Sequence, residues 1–188
     1  SGRAVYSHMV YEASTSSDRH LESAYSDDKG QTWTGVQMTA TGSDDDKQWM
    51  AVGPDGEGGE ILHAAWHRHN TIYAATSSDG TSWSTPVQVS DDNSSIFSTP
   101  AVTSDGRVFV CWSDYRELDI GTIECDTSTD GGLTYGTDLT AVTSSVTFRN
   151  TSSFGFVSQR YRIRPHAYRG FTSPAPITAI DRSGGERD

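Results

Sequence analysis

Clustered carboxylates are the first groups in this sequence with chemistry to offer. Asp44, Asp45 and Asp46 run together, and Asp91 and Asp92 follow among loop-forming residues. A hard cation such as Ca2+ takes carboxylate and carbonyl oxygens, so Asp44, Asp46, Asp91 and Asp92 are the candidate ligands of a bound Ca2+, although no EF-hand spacing is present. His67-Arg68-His69 sets two imidazoles at i and i+2 without a third ligand, and no zinc site is read from it. Cys111 and Cys125 form no C-x-x-C pattern. They are either a cross-strand disulfide or a buried reduced pair. The stretch Ser144 to Pro174 concentrates Arg149, Arg160, Arg162, Arg164 and His166 in an otherwise acidic chain. It exceeds the usual loop length, which points to partner docking or ligand contact.

The elements that must position these groups are strands. Helical periodicity is nearly absent, and short runs of Val, Ile, Thr and aromatics alternate with Gly, Asp, Asn and Ser clusters. Ala4 to Tyr11, Gln48 to Val52, Ile61 to Trp66, Thr71 to Thr76, Val87 to Ser90, Thr99 to Thr103, Val108 to Trp112, Gly121 to Cys125 and Leu139 to Thr143 are the expected strands. The fold class is all-β.

The strands also repeat. Ser26-Asp-Asp-Lys-Gly-Gln-Thr-Trp33, Ser77-Ser-Asp-Gly-Thr-Ser-Trp83 and Ser128-Thr-Asp-Gly-Gly-Leu-Thr-Tyr135 share one pattern, and Asp28, Asp79 and Asp130 lie 51 positions apart each time. Asp55-Gly56 with Trp66 recurs as Asp105-Gly106 with Trp112, the Asp residues 50 positions apart. All-β repeats of about 50 residues are blades of a β-propeller, each of four antiparallel strands. The chain divides into blade 1 over 1–41, blade 2 over 42–91, blade 3 over 92–144, and a long loop with the first strand of a next blade over 145–188. Blade 1 lacks its innermost strand, and Ala175 to Ile180 reads as the innermost strand of a fourth. About three blades and one strand cannot close a ring. The expected partner is the remainder of a propeller, either in the same parent chain or in a second copy that exchanges its final strand. The start at Ser1 without Met fits a processed product or a piece of a longer polypeptide.

Composition narrows the function. The 188 residues carry a net charge of −11, and no basic patch of the kind that binds a phosphate backbone occurs, so nucleic acid is excluded as a partner. No apolar run long enough for a membrane-spanning helix is present. An aromatic content of 10% argues against disorder.

The eight-residue element S-x-D-x-G-x-T-[W/Y] resembles the Asp-box, or BNR repeat, of sialidase-like β-propellers. Ser26, Asp28, Gly30, Thr32 and Trp33 match it fully, as do Ser128, Asp130, Gly132, Thr134 and Tyr135. In Ser77, Asp79, Gly80, Ser82 and Trp83 one residue is dropped before Gly80 and Ser82 stands where Thr is usual. The resemblance implies that these boxes are structural turns on the face away from the ligand site. Ligand groups are then expected on the opposite face, in the loops between second and third strands and between blades.

A sialidase clamps its substrate carboxylate with three arginines and uses a Tyr nucleophile with Glu. By that resemblance Arg68, Arg116 and Arg162 are the candidate cationic triad, with Tyr115 and Glu117 as the polar pair. Tyr161-Arg-Ile-Arg-Pro165 departs from the family's Phe/Tyr-Arg-Ile-Pro element by an extra Arg and falls after the third box. The resemblance implies a secreted, extracellular or periplasmic module that binds a glycan or protein ligand; the alternative is a sialidase-like glycoside hydrolase.

Overall fold

The computed structural model describes residues 2–11, 19–114, 121–144 and 176–182. Its elements are eleven strands: β1 (Ala4–Tyr11), β2 (Arg19–Ser26), β3 (Thr34–Gln37), β4 (Asp45–Pro54), β5 (Glu60–Arg68), β6 (Thr71–Ser77), β7 (Val87–Gln88), β8 (Ser95–Val102), β9 (Val108–Asp114), β10 (Gly121–Ser128) and β11 (Leu139–Ser144). No helix occurs among the described residues. Within each sheet, strands adjacent in sequence pair antiparallel, giving sheets β1-β2-β3, β4-β5-β6-β7 and β8-β9-β10-β11. These are propeller blades, and the molecule is an all-β partial propeller.

Two strands escape a reading by alternation. In β2, His20, Glu22, Ser23 and Ser26 interrupt the apolar run, and β3 is only four residues long. The outer strand β7 is also shorter than Val87 to Ser90, because a hydroxyl takes over the ladder: Ser90 Oγ accepts from the Ile72 N–H at 2.9 Å. Blade 1 does the same, with Thr39 Oγ1 accepting from the Leu21 N–H at 2.9 Å. Residues 176–182, expected to include an inner strand, pair with no strand. They lie against β8 through the Thr178 and Thr99 hydroxyls, 2.8 Å apart.

The core lies between the sheets. Side chains alternate along β5, so Ala64 and Trp66 face blade 1 with Leu21, Met38 and Ala75, while Ala65 faces blade 3 with Ile72, Ala74, Val89, Val108, Val110 and Trp112. Each apolar layer is therefore shared by two blades, as in other repeat architectures where a unit cannot bury its faces alone. Near the axis the inner strands β4 and β8 meet so closely that a Cβ at Gly53 would fall 2.3 Å from Val102.

Candidate functional site

The three Ser-Asp-Gly turns line one end of the blades. In the first, Ser26 Oγ accepts from the Gly30 N–H at 2.8 Å, and Asp28 takes the Thr32 N–H at 2.8 Å and the Thr32 hydroxyl at 2.6 Å. The third is built alike, with Gly132 N–H on Ser128 Oγ and the Thr134 N–H and hydroxyl on Asp130. In the second the hydroxyl comes from Thr81, not from Ser82: Thr81 Oγ1 donates to Asp79 Oδ2 at 2.6 Å, while Ser82 contributes its N–H at 2.9 Å. The hydroxyl thus comes from the second residue after the Asp instead of the fourth. Gly30, Gly80 and Gly132 all sit at positive φ, which closes the turn without Cβ strain. Hydrogen bonds from Thr32 hold the Asp28 carboxyl down to about 2, and those from Ser128 and Thr134 do the same for Asp130. The Asp28, Asp79 and Asp130 carboxylates thus accept from N–H and hydroxyl groups of their own turns.

The opposite end carries the starts of the inner strands and the β5–β6 turn. Lys47 and Phe97, fifty positions apart, both take positive φ where β4 and β8 break register with their neighbours. The β4 bulge lies beside Asp44 to Asp46, which pair with Arg19 of β2 and Arg68 of β5. Asp45 is fully buried and accepts from Trp66 Nε1 at 2.7 Å, Arg68 Nε at 2.8 Å and Ser43 Oγ. Burial raises its carboxyl, but the bonds from Arg68, Ser43 and Thr39 outweigh this and leave it below the usual range. Arg19 bridges Asp46 at 2.5 Å and Asp44, while Lys47 Nζ meets Asp46 at 2.8 Å. His69 Nδ1 stands 3.2 Å from Asp44 and His67 Nε2 4.0 Å from Asp46. Burial pushes His67 down to about 4 against the attraction of Asp46. The two imidazoles thus go to different carboxylates.

Arg68, the described member of the expected cationic triad, is committed to Asp45 and also lies over the Tyr73 ring, 4.9 Å from its centroid. Arg116, Arg162, Tyr115 and Glu117 lie outside the described residues, as does the 145–175 stretch.

A second polar group forms between blades 2 and 3. Asp114 occupies in blade 3 the place of Arg68 in blade 2, two residues beyond the buried Trp. Asp92, Asp114 and Glu124 each bring a carboxylate oxygen within 4.8 Å of the others. Asp91 leaves this group: its N–H and carboxylate exchange hydrogen bonds with those of Asp138 at 2.9 and 3.1 Å. Burial, together with the charges of Asp91, Asp92 and Asp126, raises the Asp138 carboxyl to about 6. Of the four expected Ca2+ ligands, Asp44 and Asp46 pair with Arg19, Asp91 with Asp138, and Asp92 with the Asp114 and Glu124 group. Glu124 was not signalled by sequence, because a lone acid on a strand carries no spacing to mark it. Cys111 and Cys125 face each other in register on β9 and β10 and form a disulfide.

No family model and no curated protein matches the chain. Solved structures do. The α-L-arabinofuranosidase Arb93A from Fusarium graminearum, solved with an iminosugar inhibitor, is similar at 18% identity and TM-score 0.53, over 75% of this chain and 45% of that one. The Hadza microbial sialidase Hz136 gives 19% identity and TM-score 0.52 over 75% and 35%. NanB sialidase from Streptococcus pneumoniae gives 14% and 0.47 over 66% and 19%. The fold is therefore that of β-propeller glycosidase structures, and the chain spans less than half the length of each.

Proposed function

We propose that the chain is an Asp-box (BNR-repeat) β-propeller segment that binds or scaffolds glycans, within a larger protein or assembly outside the cytoplasm. What carries the reading is the commitment of Arg68 to Asp45, which removes it from any carboxylate clamp. Trp49, 56% exposed on the inner strand, offers an indole face for the C–H surface of a sugar. The disulfide suits an oxidising compartment, and no helix is long and apolar enough to cross a membrane.

A second reading, a sialidase-like glycoside hydrolase, draws on the likeness to structures described as sialidase and arabinofuranosidase. Array binding of sialosides and arabinosides, run beside chromogenic reporters of the same sugars, separates the two. Binding without reporter release supports the module. Release that Arg162→Ala abolishes establishes the hydrolase, and no glycan affinity at all would sink both.

A further inference from the structure

Two acids fasten the outer edges of blades 2 and 3. The Asp91 N–H donates to Asp138 Oδ2 at 2.9 Å and the Asp138 N–H donates to Asp91 Oδ2 at 3.1 Å, so each carboxylate holds the other's backbone. Asp91 lies in the connection after β7, and Asp138 immediately precedes β11. The clasp therefore ties the exit of one outer strand to the entry of the next.

The repeat itself does not call for acids there. Thr39 and Ser90 take the same part in blades 1 and 2, which sets Ala40 in register with Asp91. Pro86 and Asp138 each stand three residues past a turn aromatic, Trp83 and Tyr135, and immediately before an outer strand. Between blades 1 and 2 the corresponding places thus hold Ala40 and Pro86, which carry no charge.

Asp91, Asp126 and Asp138 form no ion pair with a described Lys or Arg. Asp126 on β10 is 3% exposed and accepts from the Gly136 N–H at 3.1 Å through Oδ1. Its Oδ2 and Asp138 Oδ1 are buried without a hydrogen-bond partner among the described residues. Carboxylate oxygens enclosed in this way, with only like charges beside them, are relieved by a proton. Burial and the charges of Asp91, Asp92 and Asp126 raise the Asp138 carboxyl to about 6, against the Asp91 N–H, which lowers it. The Tyr135 phenol is raised by burial, Asp126 and Asp130 and stays neutral. His63 stands on the same seam beside Gly132, where burial holds it at about 4.

We propose that this clasp is a proton-operated latch between blades 2 and 3, shut while Asp138 carries a proton and released when Asp138 ionises. Protonated at Oδ1, Asp138 still accepts the Asp91 N–H through Oδ2, and the cluster loses one negative charge. Ionised, it repels Asp91, which is exposed and gives way. The connection so released is the one that carries Asp92 and Ser94 to the polar group around Asp114.

Amide hydrogen exchange of the whole chain, read by NMR and corrected for the intrinsic pH dependence of exchange, tests this. Protection of the Asp91 and Asp138 amides is expected to fall at least about tenfold between about pH 5 and about pH 8, while that of the Leu21 and Ile72 amides is unchanged. Asp138→Asn, which keeps the acceptor and removes the charge, holds the acid-side protection at the higher pH. His63→Gln leaves the wild-type change in place. Equal protection at the two pH values overturns the proposal, as does an Asp138 carboxyl 13C titration centred near the free Asp value of about 3.9. Both results come from the wild-type chain. An Asp138→Asn chain that loses protection as the wild type does overturns it too.

Discussion

Trp83 Nε1 crosses from blade 2 to Ser23 Oγ of blade 1, a distance of 3.1 Å. The same turn receives a bond in return, from Ser23 Oγ to the Gly80 carbonyl at 3.3 Å. The turn thus fastens two blades together as well as joining two strands within one, and the consequences are measurable.

Gly80→Ala places a methyl against Val5 at positive φ, whereas Gly56→Ala meets positive φ with no atom within 4 Å. Both lose stability to backbone strain, and Gly80→Ala loses at least about 1 kcal/mol more from overpacking. Urea unfolding of the two variants measures the difference. Equal losses would mean that blades 1 and 2 do not touch there.

Asp45→Ala strips the buried partner from Arg68 and the acceptor from Trp66 Nε1. Breaking a buried pair in this way costs about 3 kcal/mol or more. Thermal unfolding should fall accordingly, and a loss under about 1 kcal/mol would show that water reaches the pair.

His63 is 2% exposed, and burial holds its pKa at about 4. The unfolded chain takes up that proton near pH 6.5 and the folded chain does not. Stability is therefore full above pH 6.5 and declines as pH falls toward 4, by on the order of 3 kcal/mol from this group. His63→Gln should flatten that part of the pH–stability curve. The carboxyls of Asp28 and Asp130, held near 2, add a further loss in the same direction only below about pH 4.

Reduction of Cys111–Cys125 opens a loop with a sequence separation of 14. Chain entropy puts the loss at about 3 kcal/mol, read as the shift in urea midpoint with and without reductant. An unchanged midpoint would indicate that the strand pairing alone fixes β9 on β10.

Fold and site differ in how much of them the sequence carries. The turns were legible because Ser, Asp, Gly and Thr each satisfy a backbone need within a few residues, so their spacing survives in the chain. Strands such as β5 were legible for a similar local reason. The polar rim was not: Asp45 meets Arg68 and Trp66, and Arg19 meets Asp44 and Asp46, across more than twenty positions with no fixed interval. Long separation in sequence likewise hid Glu124 from Asp92 and hid the commitment of Arg68. The roles of Thr81 and Ser82 exchanged because one dropped residue changes which hydroxyl reaches Asp79.

The central claim is that ligand binding belongs to the rim opposite the turns. Hydrogen exchange with and without the best-bound glycan from the array tests it most directly. Protection should appear at 44–49, 67–71 and 94–97 and leave 26–33, 77–83 and 128–135 unchanged. Protection confined to those three turns would contradict the account.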